Sequence, residues 1–130
     1  MRRYKVSESL GTMVQHYLIC ALWSSHDWQA CKDESENPPP MDDRYDVGDV
    51  SISLYNQSVA DCRSFVKMAE EQGIEWEQSW EQIGHDFWLT RNGHGAGFWD
   101  RGIKHGDALT KLSKVFGSVD LWTSNGKVMA

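Results

Sequence analysis

The chain has 130 residues, of which 40% are hydrophobic and 25% charged, and its formal net charge is −6; this is the balance of one globular domain. Its three cysteines are an odd number without CxxC spacing, which argues against a disulfide framework or a zinc knuckle and fits a reducing cytoplasm. No apolar run is long enough for a membrane span, and the apolar stretch after the basic N-terminus is interrupted, so no signal peptide is expected.

Residues 9–23 are the first predicted element, an amphipathic helix. Apolar residues recur at i, i+3, i+4 and i+7 from Leu10 to Leu22 and form one stripe. Ser7 or Ser9 can cap the first turn.

Residues 24–48 are predicted to be a long irregular loop. Three consecutive prolines favour an extended backbone, and acidic residues surround them. Because 25 residues without regular structure are unusual in a compact domain, we expect the loop either to be functional or to pack through Trp28, Met41 and Tyr45.

Residues 49–72 have the apolar spacing of a long helix that starts at Asp49 and stops at Gly73. Residues 75–83 suit a short acidic helix closed by Gly84. Asp107 is then expected to cap another helix, which ends before Gly117.

Two β-hairpins are predicted at the Asn-Gly pairs of the C-terminal half. Asn92-Gly93 would turn a hairpin over residues 85–101, and Asn125-Gly126 a second one near the C-terminus. The fold class is therefore α+β: a single domain, residues 1–130, with a small antiparallel sheet of two hairpins packed against three to four helices.

The first hairpin carries most of the residues with catalytic chemistry. With a two-residue turn, His85 pairs with Asp100 and Phe87 with Phe98. His85 and His94 then lie ~20 Å apart along the hairpin, which forbids a shared metal ion. No cofactor motif is present, because the glycines of "NGHGAG" lack the Lys-Ser/Thr of a P-loop.

Two uses of this hairpin stay open. As an enzyme or ligand-binding domain it would use His85, Asp86 and Asp100 as catalytic candidates, together with Arg91, His94 and Arg101, and a nucleophile from elsewhere, such as Ser24, Ser25, Cys20 or Cys31. As a recognition surface it would use the residue types that anchor interfaces. That binding set is Trp88, Arg91, His94, Trp99 and Arg101.

The charge distribution is uneven. Residues 32–81 hold 13 acidic and 4 basic residues, a net charge of −9, whereas residues 82–130 have a net charge of +2. Such a segment argues against direct nucleic-acid binding and permits binding to a basic protein partner, although a solvated face that aids solubility is the simpler explanation. The acidic binding candidates are Asp33, Glu34, Glu36, Asp42, Asp43, Asp46, Asp49, Glu70, Glu71, Glu75, Glu77 and Glu81.

The segment "GHDFWLTRNGHGAGFWDRG", with "GDALTKLSKVFGSVDLW", "YLICALWSS" and "DCRSF", resembles a family of small proteins encoded by phages, prophages and plasmids. The resemblance touches about half the chain, omits residues 32–49 and implies a setting, not an activity. In that setting we expect a non-enzymatic protein of the host cytoplasm that inhibits a host defence complex, of the anti-CRISPR or antirestriction type, through an acidic surface that mimics nucleic acid. Homo-oligomerisation through exposed tryptophans is a further possibility.

Overall fold

The computed structural model of the chain describes residues 2–31 and 37–130. In this part of the chain it has four α-helices and one antiparallel sheet of two strands, an α+β fold as expected. The helices are α1 (Glu8–Ser24), α2 (Ile52–Glu71), α3 (Trp80–Arg91) and α4 (Gly106–Val115), and the strands are β1 (Trp122–Ser124) and β2 (Lys127–Met129). Short 3₁₀ turns lie at Trp28–Ala30, Met41–Asp43, Val47–Asp49 and Phe98–Asp100.

The first two helices follow the sequence prediction closely. The Ser7 side chain caps α1 by accepting the Leu10 N–H, and the predicted stripe is buried except for Leu10, which is partly so. Helix α2 starts after Ser51 instead of Asp49, because the Ser51 hydroxyl accepts the Leu54 N–H while Asp49 caps the preceding 3₁₀ turn.

The predicted hairpin over residues 85–101 is wrong. Residues 85–91 continue α3, which is capped by Ser79 and passes through Gly84, and the chain then turns into the Phe98–Asp100 turn. Gly84 therefore does not close a short helix over residues 75–83.

The Asn92-Gly93 pair ends α3 instead of turning a hairpin. Gly93 has a φ of +70°, and the His94 N–H donates to the Leu89 carbonyl at 3.0 Å. A glycine in the left-handed region is required just past many helices as well as in tight hairpin turns. The same dipeptide signal thus serves two structures.

The second hairpin forms as predicted. Trp122 pairs with Met129 and Ser124 with Lys127, while Asn125 and Gly126 have φ values of 51° and 76° at the turn. Val128 of β2 is fully buried and forms a bridge to Val50, so the sheet is attached to the start of α2.

The core lies between α1 and α3, which make the most extensive contact in the described part of the chain. A Cβ at Gly84 would collide with the backbone carbonyl of Met13, so the two helix backbones touch there. Phe65 of α2 completes the core by stacking on Phe87 of α3 at 4.3 Å and on Phe98 at 5.6 Å between ring centroids. None of the described helices combines the length and the apolar character that crossing a bilayer requires.

We expect Gly84→Ala to lower the free energy of unfolding by about 1–3 kcal/mol or more, because the added methyl group meets backbone that cannot rotate away. Urea denaturation measures this change. Gly95→Ala is the matched control: nothing lies within 4 Å of a Cβ there, so its effect should stay within about 0.5 kcal/mol. Equal stability of the two variants would contradict the close packing of α1 and α3.

Candidate functional site

The catalytic and binding candidates of residues 85–101 are distributed over three places, because a helix turns residues to different sides that a strand would keep on one face. Asp86 and Arg101 form one cluster with His85 and Asp100 beside them. Arg91 lies in a second, buried cluster, and His94 lines a separate cleft.

Asp86 is a fully buried carboxylate whose oxygens are all engaged. Arg101 donates from Nη2 to Oδ1 at 2.8 Å and from Nε to Oδ2 at 3.1 Å. The side-chain amides of Gln78 and Gln82 donate to the same carboxylate, each at 2.8 Å. The hydrogen bonds to Asp86 raise the pKa of Arg101 further above its usual value. A carboxylate held by this many donors braces the structure and is not placed to accept a substrate proton.

The predicted pair of His85 and Asp100 is absent from the described contacts. Asp100 accepts the Gly97 N–H at 3.0 Å and caps the 3₁₀ turn that begins at Phe98. His85 is half-buried, with Nδ1 3.5 Å from Asp86 Oδ1 and its ring 6.2 Å from the ring of Trp23. Of the three catalytic candidates, Asp100 therefore caps a turn and Asp86 is paired with Arg101, while His85 is a half-buried ring.

Arg91 is buried, so its prediction as a binding residue is wrong. Its guanidinium donates to Asp61 at 2.8 Å, to the Tyr17 hydroxyl at 3.0 Å and to the Phe116 and Gly117 carbonyls at 2.8 Å each. Those two carbonyls lie just past α4, so Arg91 satisfies the free C-terminal carbonyls of one helix from the end of another. Burial raises the pKa of Tyr17 well above its usual value, and its phenol stays neutral as the acceptor.

Trp88, also predicted on a binding surface, is only 1% exposed. Its indole N–H donates to the Ser24 hydroxyl at 2.7 Å, and its ring meets Tyr17 edge-on at 5.3 Å. The Ser24 hydroxyl also contacts the Ala21 carbonyl. The Ser24 hydroxyl is thus engaged within the fold, and the Trp88 ring lies in the interior and not on a binding surface.

His94 is exposed and lines a cleft of about 500 Å³ together with Ser25, His26 and Asp120. These are the residue types of a catalytic triad, but no hydrogen bond joins any two of them in the part of the chain that the structure describes. The described part of the chain also contains no group of three or more His, Cys, Asp or Glu side chains that could hold a metal ion. The cleft is large enough for a ligand, but its Ser, His and Asp side chains are not hydrogen-bonded into a catalytic group.

Comparison with protein-family models, with curated proteins and with solved structures finds no match to this chain. The resemblance to phage-encoded proteins therefore remains a prediction.

The described acidic candidates remain on the surface in two groups. The loop acids are Asp42, Asp43, Asp46 and Asp49, and the helix-end acids are Glu70, Glu71, Glu75, Glu77 and Glu81. Two loop acids line a groove with Ile19 and Leu22 of α1, and two helix-end acids line another groove with Leu10. Leu10 and Leu22 lie ~18 Å apart along the helix axis. Asp33, Glu34 and Glu36 lie outside the described residues.

The acids of these two groups form no ion pair with any described residue. The ion pairs of the described chain use Asp61, Asp86 and Asp100 alone. Glu77 accepts the Lys104 backbone N–H at 2.7 Å. Arg63 and Lys67 line the same groove as Glu70 and Glu71 without forming an ion pair with them. Both groups thus present surface carboxylates that are not held in ion pairs.

Most of the exposed aromatic side chains are not among the binding candidates predicted from the sequence. Trp99 is half exposed, as a binding role requires, but Trp23 and Trp28 are more exposed at 58% and 63%. Ile19 is 42% exposed, four residues before Trp23 on the same side of α1. The signal for this pair was present in the sequence, because both residues are apolar and fall off the buried stripe of α1.

We expect Arg91→Met to destabilise the protein by about 3 kcal/mol or more, since it leaves Asp61 and the carbonyls after α4 without their donor. The midpoint of urea unfolding measures the loss. Arg44→Met removes an exposed arginine as the control and should leave the midpoint unchanged. An Arg91→Met variant with an unchanged unfolding midpoint would show that Arg91 does not stabilise the fold.

Cys20 should resist alkylation in the folded protein. Burial, followed by the negative charge of Asp86, raises the pKa of Cys20 to about 12. At pH 8 only about one thiol in ten thousand is then ionised, and access to it is blocked as well. Iodoacetamide labelling followed by peptide mass mapping, with denatured protein as the control, measures this protection. Equal labelling rates in the folded and denatured protein would contradict the burial of this thiol.

Proposed function

We propose that the chain is a non-enzymatic binding protein of a phage or other mobile element, and that it inhibits a host defence protein by occupying a basic, nucleic-acid-binding site. The observation that carries the proposal is that the loop acids and the helix-end acids lie on the surface and form no ion pair with any described residue. A surface segment with an excess of carboxylates, such as residues 32–81 with a net charge of −9, creates a field that attracts a basic partner and repels phosphate.

Exposed apolar side chains beside these acids support a protein partner. Ile19 borders the same groove as Asp42 and Asp46, and Trp23 follows one helical turn later. Interfaces combine an apolar anchor with a charged rim, in which the rim steers association and the anchor slows dissociation. Two acidic groups ~18 Å apart along α1 would engage a basic surface, not a single cationic side chain.

The alternative of an enzyme on residues 85–101 lacks geometric support. It requires His85, Asp86, Arg91, His94, Asp100 and Arg101 to line one pocket. In the structure Asp86 and Arg101 hold each other, Arg91 caps α4, and His94 borders a different cleft. Four of these six residues, Asp86, Arg91, Asp100 and Arg101, are engaged in contacts that stabilise the fold.

Affinity capture from a host lysate tests the proposal. The immobilised protein should retain a host protein with a nucleic-acid site at about 0.05 M salt and release it by about 0.5 M salt, because the steering charges are screened. Duplex DNA should compete with the captured protein for that site. Failure to recover any salt-sensitive partner at low salt would contradict the proposal.

Neutralising the acids separates charge from other causes of binding. Glu70→Gln, Glu71→Gln and Glu75→Gln in one variant should weaken capture about tenfold, because three exposed carboxylates are lost without disturbing a described contact. Lys111→Gln with Lys114→Gln is the control on an exposed face of α4 and should leave capture intact or stronger. Equal behaviour of the two variants would show that the acids do not steer binding.

A further inference from the structure

The groove between α1 and the loop of residues 41–48 has an apolar floor and an acidic lip. Its volume is about 510 Å³, within the range of protein sites that take a small ligand or a few side chains. Ile19, Leu22, Tyr45 and Val47 supply the apolar surface. Asp42 and Asp46 stand at the lip, both exposed.

The wall of this groove is held rigidly at both ends. Met41 is fully buried, and its N–H donates to the Ser25 carbonyl at 2.9 Å. Asp46 and Asp49 cap the Val47–Asp49 3₁₀ turn reciprocally, at 2.8 and 2.9 Å. Val50 is buried and bridged to β2. A groove formed before binding costs little conformational entropy when it is filled.

The charge at the lip selects the occupant. Asp42 has no described partner, and Asp46 uses one carboxylate oxygen on the Gly48 N–H, so neither charge is neutralised. Arg44 is the only base among residues 41–49, against four acids, and it does not line the groove. A nucleic acid or an anionic membrane would be repelled here, and a basic peptide attracted.

The apolar surface continues beyond the groove along α1. Ile19 is 42% exposed and Trp23 58% exposed, and they lie four residues apart on one side of the helix. Exposed apolar side chains next to a groove are typical of an interaction site, whereas scattered ones are ordinary surface.

We propose that this groove binds a protein segment with an apolar side chain flanked by arginine or lysine. The apolar side chain packs on Ile19, Leu22 and Tyr45, and the flanking cations pair with Asp42 and Asp46. This inference rests on the proposed function and names the part of the basic partner that is recognised.

Two synthetic peptides of equal charge serve as probes. One is a 12-residue peptide of alternating arginine and leucine, and the other has serine in place of every leucine. Calorimetric titration should show the leucine peptide binding at least about tenfold more tightly. Equal affinity of the two peptides, or no binding of either, would overturn the inference.

Matched variants locate the binding. Ile19→Ser should abolish the preference for the leucine peptide, and Val115→Ser, which removes an apolar residue 71% exposed on α4, should keep it. Asp42→Asn with Asp46→Asn should weaken both peptides more than Asp43→Asn with Asp120→Asn, which removes the same charge from outside this groove. A preference that survives Ile19→Ser, or equal effects of the two double variants, would place the binding elsewhere.

The peptide titration needs no host protein, so its failure is distinguishable from failure of the proposed function. If a salt-sensitive host partner is captured equally by wild type and Ile19→Ser, the groove is wrong and the proposed function stands. If the peptides bind as expected and no such partner is recovered, the groove stands as a peptide site and the host-inhibitor role is wrong.

Discussion

The direct contact between the backbones of α1 and α3 at Gly84 determines where the other elements can lie. With no side chain at this position, α3 approaches until its backbone meets the Met13 carbonyl. That approach brings the Trp88 indole to the Ser24 hydroxyl and the Arg91 guanidinium to the Tyr17 phenol. Arg91 then holds the end of α4 and pairs with Asp61 of α2, so all four helices depend on one close contact.

The same arrangement places the residues with catalytic chemistry in separate clusters. Buried charges are retained only when they are paired and hydrogen-bonded, and Asp86 and Arg91 each have several partners. Removing one partner leaves the other uncompensated, which makes these residues essential to the fold. The carboxylates that form no ion pair lie instead on the surface, in the loop acids and the helix-end acids.

Elements that depend on local periodicity and capping could be predicted from the sequence. The stripe from Leu10 to Leu22 and the Asn125-Gly126 turn are both as expected. The fate of Asn92-Gly93 could not be read locally, because a glycine with positive φ suits a helix end and a hairpin turn equally. The burial of Arg91 could not be read locally either, because its partners lie 25 to 74 residues away along the chain.

Backbone NMR of the free protein distinguishes a helix over residues 80–91 that packs on α1 from a strand of a hairpin. We expect helical ¹³Cα shifts through Arg91 and nuclear Overhauser effects between the Gly84 α-protons and residues 13–17 of α1. Strand-type shifts over residues 85–91, with cross-strand effects between Trp88 and Gly97, would contradict this expectation and return His85, Asp86 and Asp100 to one shared hairpin.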